Sequence, residues 1–238
     1  MKTLILQHTQ EEVPGTLPDW LERSGFSYDI HHGYTGQKFP DASLYELLVI
    51  LGGPMNIDEE AKHPWLKTEK KFVESWLKED KALLGICLGG QMLAQILGGR
   101  VEKNHAREIG FHEVRRTSEK HPSLKRWPEK MRVFQYHEDR FTLPAGCRTL
   151  LTNEICEHQA FAKDHKTLGL QFHPESTADW IQDAFAELAP SAEPHVQTHS
   201  ECAALLPVHL PLLTSQFFTF LDDFAAGARG NALSTALL

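Results

Sequence analysis

A single cysteine, bracketed by glycines, joins a predicted strand to a predicted helix in Leu83-Leu84-Gly85-Ile86-Cys87-Leu88-Gly89-Gly90-Gln91. Few architectures run a strand directly into a helix through one reactive residue. Leu83 to Ile86 reads as the end of a buried strand, and Gln91 to Leu97 as an amphipathic helix stopped by Gly98-Gly99. This is the form of a nucleophile elbow with sulfur in place of oxygen. Such a turn crowds its own backbone, and small residues at Gly85 and Gly89 relieve the crowding. The turn lifts the sulfur clear of the sheet and aims the first N–H groups of the new helix at it. Those donors and the helix dipole favour a thiolate and a developing oxyanion. The same short pattern also fits a buried core cysteine beside a tight turn, so the remaining sequence decides.

Upstream, Lys2 to Gln7 reads as a strand and Pro14 to Gly25 as a helix with Leu17, Trp20 and Leu21 on one face. Phe26 to His31 is a second strand. Leu47 to Leu51 is apolar on both faces, as the centre of a parallel sheet requires, and ends in Gly52-Gly53-Pro54. Trp65 to Lys78 follows as a helix with Phe72, Trp76 and Leu77 inward. This alternation predicts a flavodoxin-like, doubly wound α/β sheet, mostly parallel with antiparallel edge strands. Ligands of such sheets bind at the C-terminal strand ends, so Gly52-Gly53-Pro54 and Cys87 should share one rim.

Downstream the pattern changes. Val101 to Lys103 and Glu108 to Arg115 read as short strands on an antiparallel edge, and Ser118 to Arg126 as a short helix. Arg132 to Tyr136 is another strand. Arg148 to Thr152, His158 to Phe161 and Thr167 to Phe172 form a meander whose last turn is Lys163 to Lys166. Thr177 to Leu188 is a helix, Ala189 to His199 a loop, Leu210 to Phe224 an apolar helix and Gly227 to Leu238 a frayed tail. Residues 1–190 are expected to form one domain, with 191–238 a helical extension packed on it.

The net charge of −8 argues against nucleic acid and anionic lipid as partners. The apolar run at the N-terminus is too short for a signal peptide, and no stretch is expected to approach a transmembrane span. The four cysteines, Cys87, Cys147, Cys156 and Cys202, are scattered, which fits a reducing cytoplasm. His195, His199 and Cys202 have a spacing that suits a metal, but they lie in a predicted loop without a fourth ligand, and no metal is expected. No phosphate-binding glycine loop is present, so no ATP chemistry and no cofactor are expected.

A second motif completes a constellation. Gln171-Phe172-His173-Pro174-Glu175 ends the last strand of the meander. If that strand joins the elbow's sheet, His173 can face Cys87 and Glu175 can orient its ring. A Cys–His–carboxylate triad divides labour in this way among nucleophile, proton carrier and orienting acceptor.

With the elbow and Gly169 to Glu175 in view, the chain resembles the class I (triad) glutamine amidotransferases. It is most like the glutaminase domain of GMP synthase and its free-standing relatives. The likeness extends through Glu108-Ile109-Gly110-Phe111, Phe134-Gln135-Tyr136-His137-Glu138-Asp139 and His158-Gln159-Ala160-Phe161, and covers roughly residues 45–176. It implies that Cys87, His173 and Glu175 are catalytic and that Gly53 and Leu88 supply the oxyanion hole. It further implies that Gly52, Gly89, Gln91, Tyr136 and His137 border the substrate. Tyr136 to Asp139 is expected to form a loop near the substrate, with Glu138 where relatives carry glycine.

The implied reaction is hydrolysis of the glutamine side-chain amide through a γ-glutamyl thioester on Cys87. The implied partners are glutamine, or another γ-glutamyl small molecule, and a synthetase subunit that accepts the ammonia. Two alternatives stand beside it: a free-standing γ-glutamyl peptide hydrolase, and a non-enzymatic stress-response or regulatory binding protein on the same fold.

Overall fold

The computed structural model describes residues 1–229. Its first half is built in strand–helix order: β1 (Lys2–Gln7), α1 (Leu17–Arg23), β2 (Ser27–His32), β3 (Leu47–Ile50), α2 (Trp65–Trp76), β4 (Ala82–Ile86) and α3 (Leu88–Ile96). Every residue of β3 and β4 is buried, as strands covered on both faces must be. Successive side chains of a strand point to opposite faces. Leu48 and Ile50 therefore enter a core shared with α2 and α3, while Leu47 and Val49 enter one shared with α1.

The second half adds β5 (Val101–Arg116), β6 (Lys130–Phe141), β7 (Arg148–Thr152), β8 (Ala160–Ala162), β9 (Thr167–Leu170), α4 (Ala178–Glu187) and α5 (His199–Ala228). The nine strands of the described residues form one sheet in the order β2-β1-β3-β4-β9-β8-β7-β5-β6. From β2 to β9 the neighbours are parallel, and from β9 to β6 they are antiparallel. The molecule is thus a mixed α/β fold on a single sheet. β9 closes the meander and also lies directly beside β4, with Ile86 opposite Leu170. That pairing carries the His173 motif to the rim where the elbow turns.

Several expectations change. The two short strands read from Val101 to Arg115 are one strand, β5, whose pairing with β6 is irregular between Lys103 and Glu108. β6 continues past Tyr136 to Phe141, so Tyr136 to Asp139 is strand and not loop: Tyr136 lies opposite Ile109, and Asp139 opposite Lys103. Glu138 there holds an ordinary exposed strand position and pairs with Lys103. The helix read at Ser118 to Arg126 is a single 3-10 turn, Pro122–Leu124.

α5 starts at His199, well before Leu210. Proline favours a break, yet Pro207 and Pro211 both lie inside the helix. A capping box sets its start: the Glu201 N–H donates to Thr198 Oγ1 at 3.2 Å, and the Thr198 N–H donates to the Glu201 carboxylate at 2.8 Å. Read whole, α5 is long and apolar enough to cross a membrane by length and composition, contrary to expectation. Its second half buries Leu213, Phe217, Phe220, Leu221 and Phe224 in the core shared with α1 and α4. Of the tail expected from Gly227, Gly227 and Ala228 lie in α5, Arg229 caps it, and 230–238 lie outside the described residues.

Candidate active site

Cys87 joins β4 to α3 with φ 50° and ψ −107°, a left-handed backbone that a side chain tolerates only under constraint. The constraint is close packing. A Cβ on Gly85 would lie 2.4 Å from the Gly89 carbonyl oxygen, and one on Gly89 would lie 2.2 Å from the Ile50 oxygen. The Cys87 N–H donates to the Leu170 carbonyl at 2.8 Å, which ties the elbow to β9.

His173 lies just beyond β9 and is 2% exposed. Its N–H donates to the Phe134 carbonyl at 2.9 Å, its ring packs on Trp180, and Nδ1 lies 2.9 Å from Glu175 Oε1. The imidazole lies beside Cys87: both side chains border the space that a Cβ on Gly52 would fill, and both line one cavity. Burial opposes charge on this imidazole, but the Cys87 sulfur and the Glu175 carboxylate outweigh it and hold its pKa well above the usual histidine range. The Gln171 side-chain amide also approaches the sulfur, at 3.8 Å. Away from this site, burial pushes the Cys156 and Cys202 thiols up to about 12 and raises Cys147.

A cavity of about 570 Å³ opens over Cys87 and His173, and Gly53, Gln91, Tyr136 and His137 also line it. Gly53 and Leu88 both offer N–H groups without a backbone acceptor among the described residues. For Leu88 this follows from its place as first residue of α3. Gly52 sits behind the cavity wall against both reactive side chains: a Cβ there would be 2.7 Å from His173 Cε1 and 3.6 Å from Cys87 Cβ. Gly89 does not join the group. Its N–H donates to the Leu51 carbonyl at 3.1 Å and its open side faces β3, so it packs the helix against the sheet and does not border the cavity. The Gln91 amide donates to Gln171 at 3.4 Å, and the Tyr136 hydroxyl to the Ala184 carbonyl at 3.3 Å. His137 is held at Nδ1 by the Asp139 carbonyl at 3.0 Å and lies 3.3 Å from Glu108 at Nε2.

Glu12, Asn56, Lys103 and Arg107 also line the cavity, and sequence reasoning missed them. Glu12 follows β1, so the rule that ligands gather at C-terminal strand ends could have found it. Burial raises its pKa, although the His173 charge draws it down. Lys103 and Arg107 arrive through the irregular part of β5, which no sequence spacing announces. Lys103 pairs with Glu138 and Asp139, and Arg107 with Glu193. Among the described residues no cluster of histidine, cysteine and acidic side chains is arranged to hold a metal. His199 stacks on Phe185 and Cys202 is buried within α5.

The family model for glutamine amidotransferase class-I matches residues 20–185. YfeJ of Salmonella typhimurium, a glutamine amidotransferase-like protein, is 25% identical over 188 residues, covering 76% of this chain and 79% of YfeJ. One subunit of the glutamine-hydrolysing GMP synthase of Sulfurisphaera tokodaii is 32% identical over 133 residues, covering 55% of this chain and 68% of that relative. The GMP synthase of Thermomicrobium roseum is 36% identical over 130 residues, 54% of this chain but only 23% of that longer protein. Among solved structures, a glutamine amidotransferase from Thermotoga maritima superimposes with a TM-score of 0.83 at 30% identity, covering 94% of this chain and 97% of that one. The extent of the family match and this likeness over almost the whole fold have one reading: the chain belongs to the class I glutamine amidotransferase family.

Proposed function

We propose that this chain hydrolyses the side-chain amide of glutamine, with Cys87, His173 and Glu175 as its triad on a doubly wound, flavodoxin-like core. The observation that carries this reading is a buried imidazole, held by Glu175 at 2.9 Å, that lies beside Cys87 and lines the same cavity. An amide is a poor electrophile and needs both a strong nucleophile and a stabilised tetrahedral oxyanion. The Cys87 thiolate attacks the amide carbon. The carbonyl electrons move onto oxygen, which the Gly53 and Leu88 N–H groups receive. Collapse re-forms the carbonyl and expels nitrogen, which takes its proton from the His173 imidazolium and leaves as ammonia. Neutral His173 then removes a proton from water as its oxygen attacks the thioester. The second collapse returns the thiolate and releases glutamate. Glu175 fixes the ring's tautomer and offsets its charge throughout. A reducing compartment, such as cytoplasm, suits a working thiolate.

The cavity reaches beyond the triad to Lys103, Arg107 and Glu138, room that also suits a γ-glutamyl conjugate larger than glutamine. The relative from Sulfurisphaera tokodaii is by its name part of a synthetase; an ammonia-accepting partner for this chain is proposed on that likeness. Incubating the purified protein with glutamine and with γ-glutamyl dipeptides separates these readings. Direct release of ammonia or amine supports autonomous hydrolysis, and glutaminase activity that appears only with a synthetase supports the partner. Mass spectrometry after treatment with a glutamine-like diazoketone tests the site itself. The expected result is one adduct, on Cys87, that glutamine blocks. Glutamine hydrolysis that survives Cys87→Ala overturns the proposal.

A further inference from the structure

His8 follows β1 and takes no part in the chemistry above, yet it is 1% exposed and close to the reacting groups. Its Nδ1 lies 2.7 Å from the Gly52 carbonyl oxygen, and its Nε2 lies 2.8 Å from Glu69 Oε1. Glu69, on α2, is equally buried. A peptide carbonyl and a carboxylate both accept hydrogen bonds. The Gly52 carbonyl can only accept, so Nδ1 carries a proton; facing a Glu69 carboxylate, Nε2 carries one too and His8 is an imidazolium. The indole of Trp65 stacks on the ring at 5.5 Å and 12°, a face that favours a cation. Burial works against charge on His8, but the Glu69 carboxylate and the Gly52 carbonyl outweigh it and raise its pKa. A buried ion pair is a poor source of stability compared with apolar packing, so this one needs another explanation.

The peptide that His8 holds supplies it. The Gly52 carbonyl and the Gly53 N–H belong to one trans peptide, where the two groups point in opposite directions in one plane. Fixing the oxygen on the His8 side turns the Gly53 N–H to the opposite side, where Gly53 lines the cavity with Cys87. Neither glycine has a side chain to hold that plane, and neither has room for one. A Cβ on Gly52 would meet His173 at 2.7 Å, and one on Gly53 would meet Leu88 at 2.8 Å. Two successive glycines rotate freely unless something outside them holds the peptide.

We infer that His8 and Glu69 are positioning residues that clamp the Gly52–Gly53 peptide and so present the Gly53 N–H to the tetrahedral oxyanion before substrate arrives. A charged donor on the carbonyl also polarises the peptide and strengthens its N–H. The inference rests on the amide-hydrolysis reading above.

Kinetics of three variants test it, beside the affinity of a glutamine-derived aldehyde that forms a thiohemiacetal with Cys87. His8→Leu removes the clamp. Its kcat on glutamine should fall about 10- to 100-fold, somewhat less than loss of a whole oxyanion donor. KM should stay within about twofold, and aldehyde affinity should fall in step with kcat. Alkylation of Cys87 by iodoacetamide, which needs the thiolate but no oxyanion hole, should keep its rate. His8→Asn keeps an N–H donor for Gly52 and should restore most of both losses. Glu69→Gln can donate to a neutral His8 and preserve the clamp, so its loss should stay within about fivefold. The inference is overturned if His8→Leu matches the parent, if only KM moves, or if His8→Asn performs no better than His8→Leu. Should His8→Leu not fold, a fall in kcat without a matching fall in aldehyde affinity in the other two variants overturns it equally. A parent protein that neither hydrolyses glutamine nor captures the aldehyde refutes the amide reading first, and the inference with it.

Discussion

Gly52 shows how narrow the tolerances are where the reacting groups meet. Its absent side chain leaves the His173 ring its place, and that ring is already fixed by Glu175 and by Trp180. Gly52→Ala is expected to displace the imidazole and lower kcat/KM for glutamine by about 10²-fold, the scale of a misplaced catalytic group. Overpacking should cost only about 1–3 kcal/mol of stability. Steady-state kinetics and denaturant melts of one preparation separate the two effects. The charge on His173 gives a second expectation. Its folded pKa is raised, so the proton needed by the leaving ammonia is retained through neutral pH and lost only on the alkaline side. Glu175→Gln removes one of the charges that raise it, while Cys87 and Glu12 still face the ring. The alkaline limb of kcat/KM should then move to lower pH, and a pH–rate profile that stays in place would contradict the assignment.

Elements are legible where a single local pattern decides them. β3 and β4 are continuous apolar runs, and α1, α2 and α4 carry one apolar face each; all follow from the sequence to within a few residues. The elbow is legible because strand, glycine–cysteine–glycine turn and helix are contiguous. Pairing between distant segments is not. The placement of β9 beside β4 depends on long-range pairing, so from sequence the approach of His173 to Cys87 can be stated only as a condition. The irregularity between Lys103 and Glu108 hides the length of β5, and with it the cavity positions of Lys103 and Arg107. Gly89 misleads because its position beside the nucleophile suggests substrate, whereas its open side takes the backbone of β3. At α5 the prolines obscure the helix, although Thr198 and Glu201 spell its start. That cap makes its own prediction. Thr198→Ala removes an acceptor for the first turn and should cost about 1 kcal/mol of stability. Its kcat should equal the parent's, because Thr198 lies outside the cavity wall. A thermal melt and one kinetic assay check both halves.

On the scale of the whole molecule, the question is whether residues 191–238 are an appendage or part of the folding unit. Leu213, Phe217, Phe220, Leu221 and Phe224 are each at most 1% exposed. Full burial of such a side chain contributes about 1.5–3 kcal/mol, so together they represent on the order of 10 kcal/mol. The entire stability of a domain is about 5–15 kcal/mol. Polar ties point the same way. The Trp20 indole N–H donates to Asp222 at 2.8 Å, Arg126 pairs with Asp223 at 3.0 Å, and the Gln216 amide donates to the Arg126 carbonyl at 3.1 Å. These contacts join α5 to α1 and to the segment before β6. Removing α5 would therefore expose Trp20, Trp127 and Phe172 from the same core, not merely shorten the chain. Two results are expected. The full chain should unfold in one transition, with tryptophan fluorescence and far-ultraviolet circular dichroism coincident along a denaturant titration. A chain ending at residue 190 should fail to fold, even though the family match stops at residue 185. A truncated protein that melts cooperatively and still forms the diazoketone adduct at Cys87 would show instead that the sheet and its remaining helices suffice, and that α5 is an accessory layer.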